Sequence, residues 1–187
     1  MDVKIAQRPI HGEIVCGDAA AVVPGRRGGT LVVVVDGLGH GSKAQHAAQA
    51  FCTFAEGHAD EPLEAIIREG SRAISSTRGA AAALIRINEE EGRISFCGVG
   101  NIELQAASAG TIHPVCMPGI VGRPLRKVLV FDYALRGGDF LVAHTDGISN
   151  RFHVKDYAGL GAQEAADRIL AEHGKSHDDA MCVVIRI

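Results

Sequence analysis

Apolar residues along this chain fall into short β-branched runs and into stretches of helical spacing. Residues 10–16 and 30–35 read as strands. In the second, Leu31-Val32-Val33-Val34-Val35 is unbroken by any polar residue, as expected of a strand buried on both faces. It stops abruptly at Asp36-Gly37-Leu38-Gly39-His40-Gly41. Ser42 is then expected as an N-cap, and residues 43–56 carry Ala47, Ala50, Phe51 and Phe54 at helical spacing. Residues 62–74 predict a second helix, with Pro62 in its first turn and Leu63, Ile66, Ile67 and Ile74 on its apolar side. Residues 80–87, 93–99 and 102–107 then read as strands, divided by turns at Glu89-Glu90-Glu91-Gly92 and Gly100-Asn101. Two more strands, 128–133 and 139–143, join through Arg136-Gly137-Gly138. An amphipathic helix at 163–173 and a buried strand at 181–187 complete the order.

This order lacks strict β-α-β alternation, which disfavours a doubly wound parallel sheet and favours layered sheets covered by helices. No repeat, low-complexity tract or linker interrupts residues 1–187, so one catalytic domain is expected. With 47% hydrophobic residues and no Trp, the core must be built from Ala, Val, Ile and Leu. A net charge of −3 without a basic block argues against a nucleic-acid partner. The N-terminus has no apolar segment of signal-peptide type, and no apolar run is long enough to span a bilayer; a cytoplasmic protein without membrane contact is expected. Cys16, Cys52, Cys97, Cys116 and Cys182 lack CxxC spacing and read as reduced core thiols.

Candidate chemistry lies in the acidic residues. Glycine loses more conformational entropy on folding than any other residue. Three glycines interleaved after Asp36 therefore point to a tight turn that lets backbone and carboxylate approach a ligand. An ordinary strand-to-helix turn is the competing explanation. The loop is neither GxGxxG nor a P-loop, which disfavours a nucleotide. Asp18 follows Cys16-Gly17, Asp146 lies in His144-Thr145-Asp146-Gly147, and Asp178-Asp179 precede the final strand. Asp is common in turns, so each alone is weak evidence. If these strand ends converge, the carboxylates repel one another unless cations intervene, and an oxygen-only set suits Mg²⁺ or Mn²⁺. His40, His144 and His177 flank the set as candidate proton donors, and Arg8 and Arg151 are weaker candidates for phosphate. No cysteine has Arg six residues later, which argues against a Cys-x₅-Arg phosphatase.

Asp18, the Asp36–Gly41 loop, Thr145-Asp146-Gly147 and Asp178-Asp179 resemble, in order and rough spacing, the bacterial type 2C protein phosphatases, and within them the SpoIIE/RsbX branch. Arg78-Gly79 and Gly98-Val99-Gly100-Asn101 share the likeness. The resemblance implies an α+β fold, an αββα sandwich of two antiparallel sheets flanked by helices. It implies two Mn²⁺ or Mg²⁺ ions. Asp36 resembles the carboxylate bridging both, Gly37 a carbonyl ligand of one, Asp146 and Asp178 ligands of the second, and Asp18 an acid near the first, acting through water. Asp179 is adjacent to Asp178 and competes for its place. The chain departs from the pattern at Met181, where the family often has Thr. The implied activity is hydrolysis of phosphoserine or phosphothreonine by a metal-activated water. The implied substrate is a phosphorylated STAS-domain or stressosome-like protein. A catalytically weak phosphoprotein-binding module and a metallohydrolase of small phosphoesters remain as alternatives.

Overall fold

A computed structural model describes residues 1–25 and 29–187. Among the described residues, nine strands form two antiparallel sheets. One runs β2 (Asp18–Pro24), β3 (Thr30–Gly37), β4 (Ala80–Asn88), β5 (Arg93–Val99), β7 (Val130–Ala134) in spatial order. The other runs β1 (Asp2–Arg8), β9 (Ala180–Arg186), β8 (Phe140–His144), β6 (Glu103–Ala107). Helices α1 (Ser42–Gly57) and α2 (Leu63–Ala73) cover the first sheet, and α3 (Ala162–His173) covers the second.

The unbroken apolar strands follow from this layering. Leu31, Val33 and Val35 of β3 face α1 and α2, while Val32 and Val34 face the other sheet. In β9, Met181, Val183 and Ile185 enter the space between the sheets, and Ala180, Cys182 and Val184 pack under α3. Both faces of each sheet are covered at its central strands, so period-two alternation disappears there. It survives at the edge strand β7, whose exposure alternates along its length. Met181, at the position where a Thr was anticipated, points into the inter-sheet core.

Three expectations need correction. Residues 10–16 are not a strand: Gly12 takes a left-handed φ of 94° and Ile14 is 96% exposed. They are the turn between β1 and β2, two strands hidden by weak signals. β1 is an edge strand with alternating polar residues, and β2 carries Ala19-Ala20-Ala21, poor in β-branched side chains. Asp18 consequently opens β2 rather than trailing a first strand. Ser42 is the first residue of α1, not its cap; Gly41 holds that place at φ 71°, with no side-chain capping bond. Pro62 likewise precedes α2 in extended conformation. The other predicted elements stand with ends moved by at most two residues. All five cysteines are free thiols. Among the described residues no helix is long and apolar enough to cross a membrane.

Phe51 is fully buried between α1 and the first sheet, against Gly70 of α2. Phe51→Ala should cost about 3–5 kcal/mol, read as a lower urea midpoint at unchanged slope.

Candidate active site

The two sheets part at one end, and three carboxylates from three strand ends line the cleft there. Asp36 comes from the end of β3, Asp146 from the turn after β8, and Asp178 from the turn before β9. The cleft holds about 420 Å³ and is also lined by Ile10, Leu38, His40, Asn101, Ile120 and His177. Glycines make the approach possible. A Cβ on Gly37 would stand 2.1 Å from the Ala44 carbonyl oxygen, and one on Gly147 would stand 1.8 Å from that of Asp179. The Asp36 turn is thus pressed onto α1, and the Asp146 turn onto the start of β9. Gly37 donates to the Gly17 carbonyl at 3.1 Å, and Leu38 to that of Gly79 at 3.0 Å.

Asp178, the expected ligand, and its competing neighbour Asp179 separate here. Asp178 is half-buried on the cleft wall, its Oδ1 accepting from the Asp179 amide at 3.0 Å. Asp179 is buried beneath. Its Oδ1 takes the Ile10 amide at 2.9 Å, and its Oδ2 is a buried oxygen without a hydrogen-bond donor among the described residues. Asp18 does not line the cleft. It pairs in register with Asp36 across β2 and β3, is buried, and accepts from the Thr145 hydroxyl at 2.8 Å. Thr145 Oγ1 in turn accepts from the Met181 amide at 3.1 Å, so one hydroxyl links the turn after β8 to β9 and to Asp18.

Two residues not foreseen hold Asp146. Asn101 Nδ2 donates to its Oδ2 at 2.7 Å, and the Lys175 ammonium donates to its carbonyl oxygen. Asn101 was visible as half of a Gly-Asn turn and within the family-like Gly98–Asn101 stretch, but without a role, and nothing in the pattern around Lys175 marks it. Of the three histidines, His40 and His177 line the cleft. His144 is buried away from it, bonded to the Thr145 carbonyl at 2.9 Å, and burial lowers its pKa. Arg8 is committed to the Lys175 carbonyl at 3.0 Å, and Arg151 is an exposed residue outside the cleft lining.

Crowding shows in the acidities. Burial first, then Asp146, Asp178 and Asp179, push the Asp36 carboxyl up to about 7. Burial and then Asp36 push Asp18 up to about 8, against the lowering effect of the Thr145 hydroxyl. Asp178 is raised as well, by burial and by Asp146. Such a cluster is poised to receive positive charge.

Two antiparallel sheets between helices, with acidic strand ends at one edge, define the class as a type 2C-like phosphatase. The chain belongs to the SpoIIE family: the family model described as Stage II sporulation protein E (SpoIIE) matches residues 26–187. Among curated relatives it is 29% identical over 174 residues to the phosphoserine phosphatase RsbX of Bacillus subtilis (strain 168), covering 90% of this chain and 86% of that one. A chain solved in work on the bacterial stressosome, described as a modular system adapted to control secondary messenger signaling, superposes with a TM-score of 0.93 at 34% identity, over 98% of each chain. The crystal structure of RsbX in complex with magnesium superposes with a TM-score of 0.84 at 27% identity, over 97% of this chain and 92% of that one.

Asp36 and Asp18 have an ordinary pKa of 3.8. Between pH 4 and 8 the folded protein therefore keeps protons that the unfolded chain has released, so stability falls as pH rises through that window. Without divalent ions, the melting temperature should drop by several degrees from pH 5 to pH 8. A melting temperature that rises over this range would contradict the crowding.

Proposed function

We propose that this chain is a metal-dependent phosphoserine/phosphothreonine protein phosphatase that resets a phosphorylated STAS-domain or stressosome-like protein. The observation that carries the proposal is the meeting of Asp36, Asp146 and Asp178 on one cleft wall, with acidities raised by burial and by one another. The residues present fit hard cations. All the cleft carboxylates offer oxygen, and the orphaned Asp179 Oδ2 adds uncompensated acceptor character below them. Among the described residues no group of three or more His, Cys, Asp or Glu side chains is placed to hold an ion by itself. Mg²⁺ commonly keeps several waters, so protein oxygens need supply only part of its coordination.

In this reading Asp36 would be the central ligand of the ions, Gly37 would add its carbonyl, Asp146 and Asp178 would complete the set, and Asp18 would support it from beneath. Bound ions would supply a low-pKa water and neutralise phosphoryl charge. Asn101 and Lys175 fix the Asp146 turn so that little reorganisation is needed. His177 has no hydrogen-bond or ion-pair partner among the described residues and stands at the rim beside Asp178, where it would protonate a departing Ser or Thr oxygen. His40 is tied to Glu13 at 2.8 Å. The RsbX relative named a phosphoserine phosphatase, the magnesium complex and the stressosome-related neighbour support the reading.

Chelation should abolish turnover of a phosphoserine protein, and Mn²⁺ should restore it better than Zn²⁺. Asp36→Asn should lower turnover more than about 100-fold in excess Mn²⁺. The same variant should melt no lower than the parent in chelator, because it removes a repelled charge. An active Asp36→Asn enzyme overturns the assignment. Phosphotyrosine peptides should be poorer substrates than phosphoserine proteins, since no deep aromatic slot surrounds the cleft.

A further inference from the structure

Beside the acidic cleft lies a surface of opposite sign. Two hollows of about 450 and 530 Å³ share Arg123 between α2, the start of α1 and the loop at 119–125. Their linings include Lys43, Arg72, Arg78 and Arg123 and contain no Asp or Glu. None of these four cations forms an ion pair among the described residues, whereas the neighbouring Arg68 is paired with Glu64 at 2.8 Å. In a chain of net charge −3, four unpaired cations gathered along two adjoining hollows are not a random scatter.

The trough is also built. The Ser71 hydroxyl is buried; it accepts from the Gly122 amide at 2.8 Å and donates to the Arg123 carbonyl at 3.0 Å, fastening the loop to α2. The Arg123 guanidinium donates to the carbonyls of Ser75, Thr77, Arg78 and Gly122 at 2.7–3.3 Å. Its charge is thereby held at a fixed point with no carboxylate to cancel it. The trough connects to the cleft through an apolar saddle. Leu38 and Ile120, each 38% exposed, line the cleft and flank Gly79, the residue after Arg78. A polypeptide with its phosphorylated residue over Asp36, Asp146 and Asp178 would cross this saddle and lay its next segment along the cations.

We propose that this trough is a docking surface for an acidic segment of the phosphoprotein substrate, adjacent to the phosphorylated residue. The proposal rests on the phosphatase reading above. The complementarity favours a protein. Apolar contact at Leu38 and Ile120 suits side chains flanking a phosphoserine, and four cations along one trough suit a short run of Asp and Glu. Charges so placed would speed encounter and select partners, with an effect that salt weakens.

The test is binding in chelator, where hydrolysis cannot occur. The probes are a fluorescein-labelled peptide with one phosphoserine followed by a run of glutamates, its glutamine counterpart, a short DNA duplex, and phosphatidylserine vesicles. At about 50 mM salt the parent chain should bind the glutamate peptide at least ~10-fold more tightly than the glutamine peptide. The Lys43→Glu/Arg72→Glu variant, altered only at exposed side chains, should lose that preference. It should keep the parent melting temperature and its turnover of p-nitrophenyl phosphate in Mn²⁺. Equal affinity for the two peptides, or a preference that survives the double variant, overturns the proposal. Tighter binding of DNA or vesicles than of the glutamate peptide, lost in the variant, overturns it too. Selective binding of the acidic peptide without any turnover in Mn²⁺ would leave the docking surface standing and remove the phosphatase reading. Turnover of both peptides with equal kcat/KM would do the reverse.

Discussion

Bringing Asp36, Asp146 and Asp178 to one wall sets like charges against one another at a partly buried site, and the rest of the fold supplies the force that holds them there. That force is the apolar layering. β3 sends Val32 and Val34 between the sheets, and Asp36, two residues further along, lies on that same face where the sheets open. A slip of one residue in the β2–β3–β4 register would turn Asp36 toward the helices and drive Val35 into the cleft. The dry core on both sides of β3 makes such a slip prohibitive. The same holds for β9, where Met181, Val183 and Ile185 fix the strand and thereby the Asp178-Asp179 turn before it.

Beneath the cleft a second, smaller set of contacts converts strand order into side-chain order. Thr145 ties Asp18 to the β8–β9 pair through one hydroxyl, and Asp179 is drawn inward by the Ile10 amide, leaving Asp178 at the surface. The segment at 10–16 is therefore more than a connection between β1 and β2. It ends the acidic wall by supplying the backbone donor that separates two adjacent aspartates into a buried one and an accessible one.

The surface is divided by charge over a short distance. Carboxylates dominate the cleft, and Lys43, Arg72, Arg78 and Arg123 dominate the neighbouring trough, with Leu38 and Ile120 between them. Two divalent ions would reverse the sign of the cleft, so that cleft and trough together present positive potential to a phosphorylated, acidic chain. The near-neutral total charge conceals this arrangement entirely.

The sequence by itself determined the helices, the central strands and the acidic strand ends. Each is a local matter: periodicity reports burial of one or both faces, and Asp beside Gly after an apolar run reports a turn. Such evidence was enough to name Asp36, Asp146 and Asp178 and to connect them with a family. It failed at β1 and β2, where an edge position and a run of alanines leave little pattern to read, and at Ser42, where a glycine took the cap. Tertiary structure alone set Asp178 on the cleft wall and buried Asp179, placed Asp18 behind the cleft, sent His144 into the core, brought Asn101 and Lys175 onto Asp146, and gathered four scattered cations into one trough. These are contacts between residues tens of positions apart. Their geometry depends on how two sheets stack and where they part, and no local spacing encodes that.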